Sequence, residues 1–242
     1  MRPLAILVTG EPVAGALSAR GSFAAMIRAV VGDAWAGPWL EIDARGALPD
    51  FRAFAGLVIT GSSANVPTRE PWILEVEQYL ARAVPSGLPI FGVCFGHQLL
   101  GQALGGRVEK NPRGREIGSV SLRLSSNDAL FAEYPDGELV NMTHLDSVVE
   151  LPPGARVLAA TELEPYAALY FGQRAWGVQF HPEIDAEIIK HYVAARREIL
   201  EAEGLDPRAL EAGARDTPHS AALLRRFVAR EVCDREFGAA PP

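Results

Sequence analysis

Cys94 stands between two glycines, Gly92 and Gly96, in the stretch Pro89 to Gly106, PIFGVCFGHQLLGQALGG. The apolar residues Ile90, Phe91 and Val93 before it read as a buried parallel strand, and His97 to Leu104 after it as a helix closed by Gly105 and Gly106. A side chain set on a sharp strand-to-helix turn needs glycine at both flanks, because a Cβ there would run into the crossing backbone. Such a turn presents a nucleophile at the carboxyl end of the sheet, where open α/β folds bind ligands. The N–H groups and positive dipole end of the following helix favour a thiolate over a thiol. The backbone N–H of Phe95 then points to where an oxyanion would form. A lone cysteine at a strand end is more often a small core hydrophobe; the paired glycines tip the reading of Cys94 to a nucleophile.

A cysteine nucleophile requires an imidazole within reach and a third group to orient it. His181 ends the strand-like run WGVQF and is followed by Pro182 and Glu183. Proline fixes its own φ, so the turn is stiff and the Glu183 carboxylate can fold back onto the imidazole Nδ1–H. His191 and His219 fall in or before surface helices and are expected to face solvent. His97, three residues past Cys94, either packs under the turn or serves the site. His144, in the expected loop MTHLDS, either touches substrate or packs the loop.

The elements that must position these groups follow from hydrophobic patterning. Residues 4 to 9 form an apolar run expected as a central parallel strand, and Ser22 to Val31 has helical spacing with Gly32 as its stop. Strands are expected at Trp39 to Asp43 and in residues 56 to 63, and a helix from Pro71 to about Val84. With the strand before Cys94 this alternation describes an α/β, doubly wound, mostly parallel sheet flanked by helices. Short strand-like runs between residues 107 and 180 (119–124, 138–140, 157–160, 167–171 and 175–180) predict a small antiparallel addition. Asp185 is expected to cap a helix to about Glu203, and Gly204 and Pro207 to form a linker to a last helix near Ser220 to Glu236, with Ala239 to Pro242 frayed. Residues 13–21 and 110–117 are expected as loops.

Charge and cysteine usage narrow the function classes. A net charge of −7 provides no electrostatic footprint for nucleic acid or an anionic membrane. The two cysteines, Cys94 and Cys233, form no CxxC and no zinc-spaced cluster, so two free thiols, no metal and a cytoplasmic location are expected. No apolar segment reaches membrane-spanning length. Gly10 to Gly15 continues into Ala16-Leu17 where a phosphate loop needs Lys-Ser/Thr, so no nucleotide site or other cofactor is expected. Arg113 and Arg115 either meet a substrate carboxylate or are simply solvated.

The elbow GVCFGHQLLGQALGG together with WGVQFHPE resembles the catalytic signature of the class I, triad-type glutamine amidotransferases, over roughly residues 4 to 200. The resemblance implies the flavodoxin-like class I glutaminase fold over residues 1–203, with 204–242 as a C-terminal helical extension. It implies Cys94 as nucleophile, His181 as general acid and base, and Glu183 as orienter. Gln98 would help bind glutamine, and Thr143 to Ser147, with His144, Asp146 and Ser147, would line its α-amino acid end. ITGSS is similar to the family's oxyanion strand but has Ser62 where a second glycine is usual. The donor beside Phe95 is then the N–H of Gly61 or of Ser62. Family members pass ammonia to a synthetase domain or subunit, which here is expected to be a separate partner. FGVCFGHQ, ALGGRV and REIG also resemble the γ-glutamyl peptidase branch and small GMP-synthase-like proteins. A stand-alone hydrolase of γ-glutamyl peptides or conjugates is the alternative, and a non-catalytic binding protein is disfavoured because all three triad members are present.

Overall fold

The computed structural model describes residues 1–233. The chain opens with β1 (Leu4–Val8), α1 (Ala14–Arg20), α2 (Phe23–Val31), β2 (Trp39–Asp43), β3 (Gly56–Ile59), α3 (Pro71–Ala83), β4 (Ile90–Val93) and α4 (Phe95–Ala103). It continues through β5 (Arg107–Lys110), β6 (Glu116–Ser121), β7 (Arg123–Leu124), β8 (Leu139–His144), β9 (Asp146–Glu150), β10 (Arg156–Ala160), β11 (Ala168–Gly172) and β12 (Ala175–Val178). The helices α5 (Ala186–Ala195), α6 (Arg197–Ala202), α7 (Pro207–Gly213) and α8 (Pro218–Phe227) follow.

The main sheet runs β2-β1-β3-β4-β12-β11-β10-β7. From β2 to β12 all neighbours are parallel, and β11, β10 and β7 extend the sheet antiparallel. Two antiparallel pairs, β5 with β9 and β6 with β8, stand apart from it. This is the expected doubly wound, mostly parallel sheet with an antiparallel addition.

Period-2 alternation explains why both faces are covered. Leu4, Ile6, Val58, Phe91 and Val93 point to one side, against Ala24 and Ile27 of α2 and Leu223, Leu224 and Phe227 of α8. Ala5, Leu7, Leu57, Ile59 and Ile90 point to the other, against Ile73, Val76 and Leu80 of α3 and Leu99 and Leu100 of α4. Each fully buried Leu, Ile, Val or Phe among these is worth about 1.5–3 kcal/mol of transfer free energy. Because Leu223, Leu224 and Phe227 are fully buried in the same cluster as Phe91, α8 is a wall of the sheet.

Several local expectations need correction. Residues 14–20 are helix rather than loop: the segment is rich in good helix formers, and Gly21 ends it at φ 80°. The elbow helix starts at Phe95, not His97, because Cys94 itself takes the cap position. MTHLDS is not a loop but the junction of β8 and β9, with only Leu145 between them. The expected loop 110–117 is a loop over 111–115, with Lys110 ending β5 and Glu116 starting β6. The expected helix from Asp185 breaks at Arg196 (φ −111°, ψ 13°) into α5 and α6. The region after Gly204 holds α7, whose Asp206 side chain caps the N–H groups of Arg208 and Ala209 ahead of Pro207 at the first turn. The last helix starts at Pro218 and becomes a π-helical run over Val228–Cys233; its expected continuation to Glu236 and the fraying of 239–242 lie outside the described residues.

Candidate active site

The site lies at the carboxyl ends of the parallel strands. Cys94 follows β4 with φ 50° and ψ −101°, a left-handed conformation that a side chain adopts only under constraint. The constraint is the crossing of strand and helix. A Cβ on Gly92 would lie 2.6 Å from the carbonyl carbon and oxygen of Gly96, and one on Gly96 would lie 2.7 Å from the Ile59 oxygen. The Cys94 N–H is anchored to the Val178 oxygen at 2.8 Å, tying the elbow to β12.

His181 sits three residues past the end of β12. Its backbone N–H donates to the Asn141 oxygen at 2.9 Å, and the Asn141 side-chain amide donates to the Ile184 oxygen at 2.8 Å, clamping the His-Pro-Glu turn from both ends. The imidazole is buried, flanked by Phe23 and Tyr192 with ring centroids 6.0 and 6.4 Å away. His181 Nδ1 lies 2.8 Å from Glu183 Oε1, and Nε2 has no hydrogen-bond partner of good geometry among the described residues. A Cβ on Gly61 would come within 2.9 Å of His181 Cε1 and 3.8 Å of Cys94 Cβ, so the turn after β3 also borders the pair.

The electrostatics couple these groups. Burial alone would push the Cys94 thiol up, but the adjacent His181 and, less strongly, His144 bring it below its ordinary value. Burial likewise opposes a charged imidazole, yet the Glu183 carboxylate and the Cys94 sulfur hold His181 up at about 10. Each group thus favours the charged form of the other.

Two polar residues outside the sequence reading complete the frame. Gln179 is fully buried; its Nε2 donates to Cys94 Sγ at 3.4 Å, and its Oε1 accepts from Gln98 Nε2 at 3.0 Å. Asn141 is the clamp already described. Both are polar residues inside apolar strand-like runs, LVNMT in one case and WGVQF in the other, and that mismatch is the signal a sequence offers.

The other expected site residues divide. Phe95, Gln98, His144 and Asp146 border the cleft, with Gln98 Nε2 also donating to the Asp146 oxygen at 2.7 Å. His144 is almost fully buried, with Nδ1 2.9 Å from the Asp146 oxygen and Nε2 3.4 Å from Glu116 Oε2. Both ring nitrogens are thus engaged within the protein. Ser147 is not brought to the cleft: its hydroxyl donates to the buried Glu164. Ser62 borders the cleft, but its hydroxyl donates to the Thr9 oxygen at 2.9 Å and accepts the Ala64 N–H at 3.1 Å, pinning the turn to the end of β1.

His97 packs beneath the sheet against Phe171, over Gly177, where a Cβ would lie 2.7 Å from its Nδ1; burial lowers it to about 3. His191 and His219 are half-buried rather than solvent-facing, His191 against Gly15 of α1 and His219 beside Glu138 and Tyr134. Arg115 is neither solvated nor free, being held by both carboxylate oxygens of Glu203, and Arg113 donates to the Glu162 oxygen. Among the described residues no group of His, Cys, Asp and Glu is placed to hold a metal ion, and no helix is long and apolar enough to cross a membrane.

The cleft has two lobes of about 180 and about 310 Å³ that share Ser62, Ser63, Cys94, Thr143 and Arg196. The smaller lies on the His181 side, against Pro12, Val13, Phe23 and Tyr192; the larger lies on the Gln98 and Asp146 side.

The site is thus a strand-to-helix elbow carrying a cysteine beside a His–Glu pair, and comparison with known proteins places the chain within a family. Residues 41–197 match the family model of the class I glutamine amidotransferases, and the chain belongs to that family. It is 40% identical over 134 residues to a glutamine-hydrolysing GMP synthase of Streptococcus equi subsp. equi (strain 4047), covering 53% of this chain and 24% of that enzyme. With the corresponding enzyme of Gloeothece citriformis (strain PCC 7424) it shares 44% identity over 137 residues, covering 53% and 23%. The chain thus spans about a quarter of the length of these curated relatives. In fold it is similar to the crystal structure of a glutamine amidotransferase from Thermotoga maritima, with a TM-score of 0.76 at 23% identity over 96% of this chain and 99% of that one. A glutamine amidotransferase structure from Methylobacillus flagellatus gives a TM-score of 0.65 at 21% identity, covering 100% and 97%.

Proposed function

We propose that this chain hydrolyses the γ-carboxamide of glutamine through Cys94, His181 and Glu183, releasing glutamate and ammonia for a separate synthetase. The observation that carries the reading is Cys94 itself: a left-handed residue at the elbow whose thiol is lowered by an imidazole held 2.8 Å from a buried carboxylate.

The Cys94 thiolate attacks the γ-carbonyl carbon and forms a C–S bond. The oxyanion is met by the N–H of Phe95 and by an N–H of the Gly61–Ser62 turn, and His181 delivers its Nε2 proton to the departing nitrogen. Glu183 keeps the proton on Nδ1 and stabilises the imidazolium. Water then enters, His181 removes its proton, and the thioester breaks to give glutamate. Gln98 has its amide nitrogen committed to Gln179 and Asp146, so its carbonyl oxygen is left as an acceptor for the α-amine. His144 and Ser147 act by fixing the β8–β9 junction that presents Asp146.

A second reading, hydrolysis of γ-glutamyl peptides or conjugates with water as final acceptor, is favoured by one feature. The lobe on the His181 side, about 180 Å³, is roomier than a departing ammonia requires.

The test is steady-state hydrolysis by the purified chain, comparing free glutamine with γ-glutamyl dipeptides and glutathione and using Cys94→Ala as the blank. Slow glutaminase turnover without peptide turnover supports the first reading. Fast peptide release, lost in the blank, supports the second. Activity undiminished in Cys94→Ala overturns both.

A further inference from the structure

Arg196 has no role in the chemistry above, yet it borders both lobes of the cleft. It sits at the break between α5 and α6, where the chain leaves helical geometry and turns the side chain back toward β8. One Nη1–H donates to the Thr143 hydroxyl, and the guanidinium lies over the Tyr192 ring, 5.0 Å from its centroid. Those two contacts hold one edge and one face. The remaining N–H groups have no protein acceptor among the described residues.

No carboxylate answers its charge; the acidic groups that act on it are Tyr192 and Cys94. Among the described residues no carboxylate lies within ion-pairing distance of Arg196, whereas the neighbouring Arg115 is neutralised by Glu203 at 2.8 and 3.2 Å. A guanidinium stays protonated at any working pH, and a half-buried one without a counter-charge is costly unless an anion completes it. Its fork of donors fits a carboxylate. Arg115 cannot serve instead while Glu203 occupies it.

We propose that Arg196 is the carboxylate-binding residue of the cleft, pairing with a carboxylate of the γ-glutamyl substrate through the N–H groups left open by Thr143 and Tyr192. The assignment rests on reading the cleft as a γ-glutamyl amide site. Two substrate carboxylates are eligible: the α-carboxylate of the glutamyl unit, and one carried by the leaving amine in a γ-glutamyl amino acid.

The experiment measures equilibrium binding to the full chain carrying Cys94→Ala, with and without Arg196→Met or Arg196→Lys. Each is titrated with glutamine against its α-amide, and with γ-glutamylglycine against γ-glutamylglycinamide. With Arg196 in place the carboxylate-bearing partner of one pair should bind about 10- to 100-fold more tightly, the range for a charge-assisted hydrogen bond. Arg196→Met should abolish that preference and Arg196→Lys should keep part of it. Loss in the first pair assigns the α-carboxylate, and loss in the second assigns the leaving amine.

A preference that survives in Arg196→Met, or one absent from both pairs in the parent, overturns the assignment. So does an Arg196→Met chain that binds normally but whose Cys94, when present, alkylates more slowly, since Arg196 would then serve the thiolate. Failure of the proposed function is read separately, as absence of hydrolysis of every γ-glutamyl amide by the chain with Cys94 intact.

Discussion

His181 Nδ1 and Glu183 Oε1 lie 2.8 Å apart across a single proline, and both side chains are buried. The contact fixes the tautomer, leaving Nε2 to exchange a proton at the sulfur. Glu183→Gln keeps the size of the side chain and removes its charge. His181, held up at about 10 in part by that carboxylate, should then fall. The signs follow: a less basic imidazole stabilises the thiolate less, which outweighs the loss of Glu183's own smaller repulsion of the sulfur, so the Cys94 thiol should rise and the thiolate fraction at pH 7 should drop. We expect kcat to fall by about 10²- to 10⁴-fold, and the pH profile of Cys94 alkylation by iodoacetamide to move to higher pH. An unmoved alkylation profile would show that Glu183 has no hold on the pair.

Gln179 donates to Cys94 Sγ at 3.4 Å from a fully buried position. Gln179→Leu removes this donor with little change in volume and leaves Gln98 with one amide partner fewer. Loss of one hydrogen bond to a charged sulfur should lower kcat and the neutral-pH alkylation rate by about tenfold or more. Gln179→Glu, which sets a carboxylate against the thiolate, should slow alkylation further. A residue with only a packing role would lower the melting temperature and leave alkylation of the folded protein unchanged.

What was legible in the sequence depended on whether the cause was local. The elbow was, because Gly92 and Gly96 are demanded by contacts within and next to it, and the His-Pro-Glu turn was, because its stiffness is written in three consecutive residues. The parallel sheet was legible from uninterrupted apolar runs such as Leu4 to Val8. The break at Arg196 was not, since Ile188, Ile189, Tyr192, Val193, Ile199 and Leu200 keep helical spacing across it; a contact to Thr143, 53 residues away, accompanies the turn. The β8–β9 junction resembles a loop in sequence because the polar residues of 143–147 find partners in Glu116, Glu164 and Arg196, far away along the chain. Gln179 was not legible, because no short-range pattern marks a residue whose partners are Gln98 and Cys94.

The elbow glycines differ from Gly101, within α4, in what a methyl group would strike. At Gly92 and Gly96 it would meet backbone atoms at 2.6 and 2.7 Å, which cannot give way without moving a strand or the helix. At Gly101 it would meet a methyl of buried Val148 at 2.8 Å, a side-chain atom that can be displaced without moving a strand crossing. Gly92→Ala and Gly96→Ala should each cost about 3 kcal/mol or more. Gly101→Ala should cost less, about 0–2 kcal/mol, because the helix gain of alanine offsets part of the overpacking against Val148. Urea denaturation of the three variants measures the contrast, and equal losses would mean that the crossing at the elbow is softer than its geometry implies.

His97 supplies a pH dependence unrelated to catalysis. Burial lowers it from 6.5 to about 3, so between those values the unfolded chain binds a proton at this residue that the folded chain does not. The folded state therefore loses stability as pH falls through that window, at up to about 1.4 kcal/mol per pH unit. His144 and His181 are shifted upward, so their contributions are complete below 6.5 and are lost only as pH rises through their folded values. They do not mask the acid-side slope of His97. His97→Gln should flatten the stability curve between about pH 6.5 and pH 3 relative to the parent, whatever constant offset the substitution adds through its packing on Phe171 and Gly177. Urea titrations at pH 7, 6, 5 and 4 resolve slope from offset. Parallel curves for the two proteins would mean that His97 is protonated in the folded state.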